Sequence, residues 1–190
     1  MKFRHSQLAT ELLTGLKGLE VGGSAHNPFG LFTLNVDRFE IGSSEHEPYA
    51  SEQRRLCGEV MPVNIVAPGD KIPVPDKSYD FVISSHVIEH FFDPIAALKE
   101  WERIATKYIY IICPLRDALE SDKGKPLTEL QEHIDRHEGR IPYIETDEHH
   151  SRWTPESFVK MCLHCGFNIS HVQQRDDKVG NGFAVVIKLD

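Results

Sequence analysis

Residues 17–23 have the sequence Lys-Gly-Leu-Glu-Val-Gly-Gly, in which a short apolar run ends in an acid and a pair of glycines. This pattern is typical of a buried strand followed by a turn that a ligand can approach closely. A second run, residues 34–37, also ends in a carboxylate. Adjacent parallel strands with an acid at each carboxyl end form the crevice in which open α/β sheets bind nucleoside cofactors. We therefore expect Glu20 and Asp37 to border such a crevice.

The size and composition of the chain indicate one globular domain. It has 190 residues, of which 40% are hydrophobic and 26% are charged. We therefore predict a single domain over residues 1–190.

The net charge of −8 and the lack of clustered Lys and Arg residues argue against nucleic acid as a partner. The longest apolar run, residues 108–113, is too short to span a bilayer, and the N-terminal residues lack the apolar core of a signal peptide, so we expect no membrane partner. The four scattered cysteines fit reduced thiols. Together these features predict a cytoplasmic protein. The sequence carries no signal for an oligomeric state.

Short apolar strands alternate with helical patterns along most of the chain, which indicates an α/β fold with a doubly wound, mostly parallel sheet. The polar turn 176–181 between the last two strands predicts an antiparallel hairpin at the C-terminus. Residues 24–30 are too few and too rich in turn formers for a full crossover helix, so we expect the first crossover helix to be shortened or missing. The predicted strands are 17–21, 31–36, 62–66, 79–85, 108–113, 167–173 and 182–189; the predicted helices are 6–16, 49–57, 93–105, 126–137 and 154–166.

The segment 114–153 differs in character from the rest of the chain. It is charged, has few periodic apolar residues and contains four of the eleven histidines. We predict that it is an insertion over the substrate side of the sheet, because functional groups concentrate on loops that lie over a site.

Several motifs occur in one order, and the order is more specific than any single motif. They are Leu19-Glu20-Val21-Gly22-Gly23, Asn35-Val36-Asp37, the segment 69–82, and Ser85-His86-Val87-Ile88-Glu89-His90 followed by Asp93-Pro94 and Glu102-Arg103. In this order the chain resembles the class I S-adenosylmethionine-dependent methyltransferases, particularly the methyltransferase-11-like group. The resemblance covers residues 18–114 and the closing helix and hairpin. The chain is also similar to family members that modify polysaccharides.

The resemblance implies a Rossmann-like sheet of seven strands with the last strand antiparallel, and S-adenosyl-L-methionine as the cofactor. It implies that Asp37 binds the ribose hydroxyls, because a carboxylate can accept hydrogen bonds from both hydroxyls at once. It also implies that Glu20, Gly22, Gly23 and Ser24 border the methionine end of the cofactor, that Asp70 and Lys71 flank the adenine, and that Ser84, Ser85 and His86 line the floor between cofactor and substrate.

Two features depart from the family pattern. The third glycine position of the loop is Ala25 or His26, and residues 103–107 enter a strand without the usual Gly-Gly turn. An alternative function is therefore a non-catalytic binding protein of the same fold with an eroded cofactor loop.

Methyl transfer to a hydroxyl needs a base, and histidine is the natural candidate near neutral pH. We predict His86, His133 and His150 as catalytic residues and no metal site. His133 and His137 have the i,i+4 spacing of one helix face, so a metal-dependent hydrolase using them with His149 or His150 is a further alternative. The favoured function is O-methylation of a small-molecule or saccharide acceptor by an S-adenosylmethionine-dependent methyltransferase.

Overall fold

The computed structural model describes residues 3–23, 28–146 and 148–189. The helices and strands follow one another in the order that the hydrophobic pattern predicts. In chain order they are α1 (Gln7–Leu13), β1 (Gly18–Val21), β2 (Thr33–Asp37), α2 (Glu47–Cys57), β3 (Ile65–Val66), β4 (Tyr79–Ser85), a 3₁₀ turn (Ile88–His90), α3 (Pro94–Ile104), β5 (Ala105–Pro114), a second 3₁₀ turn (Glu120–Asp122), α4 (Leu130–His137), α5 (Pro155–His164), β6 (Asn168–Gln173) and β7 (Gly182–Lys188).

The strands of the described residues form one seven-stranded sheet in the order β3-β2-β1-β4-β5-β7-β6. The neighbours from β3 through β5 are parallel, whereas β7 runs antiparallel to both β5 and β6. The predicted fold class, a mostly parallel sheet with an antiparallel C-terminal hairpin, is confirmed.

Helices cover both faces of the sheet, and each face has its own apolar core. On one face α3 and α5 bury Trp101 and Phe158 against the strands. On the other face α1 buries Ala9 and Leu13 against Tyr110 of β5. This two-sided covering explains why β5 is almost continuously apolar.

The N-termini of two helices follow directly from their sequence. Asp93 accepts a hydrogen bond from the backbone of Ala96 and is followed by Pro94, and Thr154 forms a capping box with Ser157. An oxygen at the N-cap satisfies an otherwise unpaired amide of the first turn. The predicted starts of α3 and α5 are therefore confirmed.

The connection from β1 to β2 is short. Its described residues after the glycine pair, 28–32, contain no helix, and Ser24, Ala25 and His26 lie outside the described part of the chain. Phe29 is buried on the α1 face, with its ring edge-on to Tyr110 at a centroid distance of 6.0 Å. Phe29 thus helps to cover the sheet near β1.

The third strand is shorter than predicted. Only Ile65 and Val66 pair with β2, instead of residues 62–66. The reason lies in the chain before them: Pro62 has no N–H to donate, and Asn64 bonds the backbone of Asn35 through its side-chain oxygen, at 2.8 Å.

Candidate active site

The turn after β1 requires both of its glycines. Gly22 has a φ of 68°, and a Cβ atom there would lie 2.6 Å from the Val87 side chain. A Cβ at Gly23 would lie 2.7 Å from the Met61 sulfur. The side-chain amide of Gln53 also donates a hydrogen bond to the Gly23 carbonyl, at 2.7 Å. The chain's own side chains therefore pack closely over this turn.

The carboxyl group of Glu20 is buried in contacts on the α1 face of the sheet. It accepts long hydrogen bonds, both 3.4 Å, from the Phe29 amide and the Thr33 hydroxyl. Burial raises the pKa of Glu20 to about 7, although the attraction of Lys178 and these hydrogen bonds act in the opposite direction. The carboxyl group of Glu20 therefore interacts mainly with other groups of the protein.

Asp37 ends β2 next to the glycine turn, because the Gly22 amide donates to the Val36 carbonyl at 2.8 Å. One carboxylate oxygen of Asp37 accepts from the Phe39 amide at 3.2 Å, and burial raises the pKa of the group. His46 lies close enough to act electrostatically on Asp37. The Nδ1 atom of His46 is buried and has no hydrogen-bond partner among the described residues.

The unpaired Nδ1 of His46 lies near the carboxylate of Asp37 at the end of β2. Because buried polar atoms are normally hydrogen-bonded, this nitrogen is suited to bind a polar group of a ligand. His46 is not recognisable as a site residue from the sequence, since nothing in the local sequence links it to β2.

Asp70 and Lys71 lie in the exposed loop after β3. Lys71 lines an open cavity of about 470 Å³ between this loop and α3. The other lining residues are Val66, Ala67, Pro68, Ile72, Pro73, Glu100 and Arg103. The three predicted acids therefore differ in setting: Glu20 is buried against Lys178, Asp37 is buried beside His46, and Asp70 is exposed.

His86 follows β4 directly and adopts a left-handed backbone with a φ of 56°. Its Nδ1 lies 3.1 Å from the Ser85 hydroxyl and its Nε2 lies 2.9 Å from the side-chain oxygen of Asn181. Because that amide oxygen can only accept, the proton is on Nε2. Burial lowers the pKa of His86, which favours the neutral ring. Ser84 is fully buried one residue before Ser85.

Asn181 connects His86 to a second open cavity, of about 640 Å³, which we call the acceptor cavity. It lies beside the β6–β7 turn. Its lining residues are Leu115, Arg116, Asp117, Ala118, Trp153, Thr154, Pro155, Arg175, Gly180 and Asn181.

His133 is buried in the packing between α4 and α5. Its Nε2 accepts a hydrogen bond of 2.8 Å from the Trp153 indole, and burial lowers its pKa to about 4. His137, one turn later, instead contacts Asp93 and Lys99, at 2.8 and 2.9 Å. The structure does not bring these two histidines to one site, so the ligand pair of the hydrolase alternative is absent.

His150 is half-buried and packs against the rings of Phe92 and Tyr143, with centroid distances of 5.5 and 6.1 Å. Its backbone amide donates to the Glu89 carbonyl at 2.9 Å. The segment that contains His150 therefore lies against the turn after β4.

A polar cluster that the sequence analysis missed lies at the same place. Glu89 is fully buried, and burial raises its pKa to about 8. Nearby, His149 Nδ1 lies 2.6 Å from Asp122, which also accepts a 2.7 Å hydrogen bond from Arg152. Its sequence signals were the pair Glu89-His90, four and five residues after the end of β4, and His149, which the hydrolase alternative names.

Comparison with known proteins supports the architecture. A family model described as "Methyltransferase domain" matches residues 40–113, from the segment before α2 to the end of β5. The matched segment begins after Asp37, so it does not include the glycine turn.

One curated relative is an uncharacterised methyltransferase, C1B3.06c, of Schizosaccharomyces pombe. It is 39% identical over 49 residues, which are 26% of this chain and 18% of the relative. The match therefore spans less than a fifth of that protein.

Three solved structures have similar folds. A SAM-dependent methyltransferase from Aquifex aeolicus is 21% identical with a TM-score of 0.55, covering 97% of this chain and 88% of that one. A SAM-dependent methyltransferase from Methanosarcina mazei is 18% identical with a TM-score of 0.58, covering 96% of both chains. Magnesium protoporphyrin IX methyltransferase from Synechocystis, with bound SAH, is 15% identical with a TM-score of 0.53, covering 96% and 78%.

Proposed function

We propose that this chain, which has the class I methyltransferase fold and a methyltransferase-domain match at residues 40–113, uses S-adenosylmethionine to methylate an oxygen atom of a small-molecule or saccharide acceptor. The observation that carries the proposal is the position of Asp37. This acid ends β2 directly beside the glycine turn of β1, at the carboxyl edge of the parallel strands. Ligands of open α/β sheets bind at this edge.

Two groups at this edge suit the cofactor. The carboxylate of Asp37 can accept hydrogen bonds from ribose hydroxyls, and the unpaired His46 Nδ1 offers a further polar contact. Met61 and Gln53 cover Gly23, so these side chains move when the methionine end binds. When bound, the cofactor would supply a sulfonium methyl group for in-line displacement by an oxygen nucleophile, with S-adenosylhomocysteine as the leaving group.

We assign indirect or bordering roles to the other predicted cofactor residues. Glu20 is held by Lys178 and Phe29, and it supports the glycine turn from the α1 face of the sheet. The predicted contact of Ser24 lies outside the described residues. The remaining predicted contacts are made at the rim: Asp70 and Lys71 on the adenine side, and Ser85 and His86 on the methyl side.

On the acceptor side, His86 is the proposed base. Its Nδ1 accepts from Ser85, so the acceptor proton leaves through Ser85 to His86, which stays neutral until then. The acceptor enters the acceptor cavity, where Asn181 lines the wall and also bonds His86. His150 contacts the acceptor from the insertion 114–153, which forms the substrate side of a single domain.

The location and partners form part of the same proposal. The four cysteines, all among the described residues, form no disulfide, which suits a reducing cytoplasm. No helix in the described ranges is long and apolar enough to cross a membrane. The net charge of −8 argues against nucleic acid. We propose a cytoplasmic enzyme with a small acceptor.

The test is calorimetric titration with S-adenosylmethionine and S-adenosylhomocysteine. Asp37→Asn keeps the shape of the side chain and removes its charge, so binding weakens by about 10- to 100-fold, the value of a charge-assisted hydrogen bond. Glu145→Gln is the matched control, because Glu145 is exposed in the insertion. Equal affinities of the Asp37→Asn variant and the wild type would contradict the assignment of the ribose site.

A second candidate function is a non-catalytic binding protein. One observation favours it: the Gly23 carbonyl is already bonded by Gln53, and Met61 lies over the turn. This candidate predicts no heat of binding from either nucleoside at millimolar concentration, whereas the enzyme binds at least one of them.

A further inference from the structure

Three potential metal ligands lie together beyond the carboxyl end of β4. They are Glu89, His90 and His149, and one donor atom of each lies within 4.8 Å of the donor atoms of the other two. The rings of His90 and His149 meet edge to face, with centroids 4.6 Å apart. Backbone amides of residues 150 and 151 donate to the Glu89 carbonyl, at 2.9 and 3.2 Å. The insertion is thus anchored on the turn that carries the first two ligands.

Glu89 is the member of this cluster that most needs a partner. Its side chain is 0% exposed, and neither carboxyl oxygen has a hydrogen-bond partner within the described part of the chain. A buried carboxyl group without a partner is costly, and such groups are normally paired or coordinate a metal. The buried oxygens lie among histidine nitrogens, which are themselves metal ligands.

The third ligand is already oriented by its surroundings. His149 Nδ1 lies 2.6 Å from Asp122, and Asp122 is buried and also accepts from Arg152 at 2.7 Å. With Nδ1 bonded to a carboxylate, Nε2 is the nitrogen left for a ligand. Metal-binding histidines characteristically donate their other nitrogen to a carboxylate in this way, which fixes the ring and its tautomer.

We propose that Glu89, His90 and His149 bind one divalent transition-metal ion, and that the ion is Zn²⁺. Two histidines and one carboxylate form a donor set typical of zinc sites that keep one position open. The open position accepts a water molecule or an oxygen atom of a small molecule. The site uses none of the residues assigned to the cofactor, so it does not rest on the proposed function.

The experiment uses the chain of residues 1–190 without any nucleoside. The protein is stripped of metal with a chelator, dialysed and titrated with Zn²⁺ by calorimetry, and Co²⁺ is added separately to record the visible absorption of a tetrahedral site. Elemental analysis of the protein as purified identifies the ion that it carries. We expect one equivalent of Zn²⁺ to bind and to raise the melting temperature, because ligands that bind only the folded state stabilise it.

Three variants and one control test the proposed site. Asp122→Asn should weaken binding by roughly 10- to 100-fold, the usual effect of removing an outer partner. His90→Ala and His149→Ala should weaken it further, because each removes a ligand. The matched control is His171→Ala, since His171 is an exposed histidine on β6. His90 is itself exposed, so its replacement is compatible with folding.

The site is supported if the wild type and His171→Ala each bind one equivalent of Zn²⁺ and His90→Ala and His149→Ala do not. The absence of stoichiometric binding to the wild type overturns it, as does equal binding by the ligand variants. Either contrary result means that the cluster binds no metal ion.

Discussion

The ammonium group of Lys178, in the turn between β6 and β7, is buried where it attracts the carboxyl group of Glu20 on β1. It also lies 4.6 Å from the centroid of the Phe29 ring. The last turn of the chain thus neutralises the acid of the first strand. This pairing occurs where the connection from β1 to β2 is short, so a long side chain and an aromatic ring together cover that part of the sheet.

Replacing Lys178 with Met should destabilise the protein, and more so at high pH. The folded-state pKa of Glu20, about 7, lies above its value of 4.5 in the unfolded chain. Between these values the folded chain holds a proton that the unfolded chain releases, so the Glu20 contribution to stability falls as pH rises. Without Lys178 the folded pKa rises further, and the loss extends to higher pH.

We therefore expect Lys178→Met to lower the free energy of unfolding by about 3 kcal/mol at about pH 8, the cost of breaking a buried ion pair, and by clearly less at about pH 5.5. Urea denaturation at both pH values measures this. Lys188→Met, at an exposed position, serves as the control. The double variant with Glu20→Gln should recover part of the loss at the higher pH. A loss independent of pH would show that Glu20 does not carry the effect.

Met61 should oppose cofactor binding, because its side chain covers Gly23. Met61→Ala removes that cover, and we expect S-adenosylhomocysteine to bind about fivefold more tightly, as for a reorganisation cost of about 1 kcal/mol. Stability should fall by about 2 kcal/mol or more, since Met61 is buried. Met161→Ala, on the buried face of α5, is the matched control and should destabilise without raising affinity. Weaker nucleoside binding by Met61→Ala would contradict this role.

His133 should act in stability and not in catalysis, contrary to our sequence-based prediction of a catalytic role. His133→Leu leaves the Trp153 indole without its acceptor and should lower the free energy of unfolding by about 1–3 kcal/mol. His164→Leu, at an exposed position near the end of α5, should have little effect. Methyl transfer per folded molecule should be unchanged in both variants. A large fall in kcat with unchanged stability would instead restore the catalytic role.

His86 should be required for the chemical step. Asn tolerates the left-handed backbone at this position, so His86→Asn preserves the turn and removes the base. We expect kcat to fall by about 100-fold or more, and S-adenosylmethionine affinity to fall much less, because His86 is one of several predicted cofactor contacts. His171→Asn is the control. If kcat of His86→Asn stays near that of the wild type, methyl transfer needs no base at this position.

Several elements were predictable because their causes are local. The start of α3 depends on Asp93-Pro94 and the start of α5 on Thr154-Pro155, and each cap operates within one helical turn. The buried strands were visible as apolar runs for the same reason. The truncation of β3 was missed, since it depends on the contact of Asn64 with Asn35 of the neighbouring strand.

The sequence alone determined the order of strands and helices, the closing hairpin and the position of Asp37 at a strand end, because propensity, capping and hydrophobic period act over a few residues. Only the tertiary structure decided which side chains meet. It brings Lys178 to Glu20, Trp153 to His133, and His149 with Asp122 to Glu89. The members of each pair are far apart along the chain. They meet only when folding buries them together away from water, so no local sequence pattern could reveal these contacts.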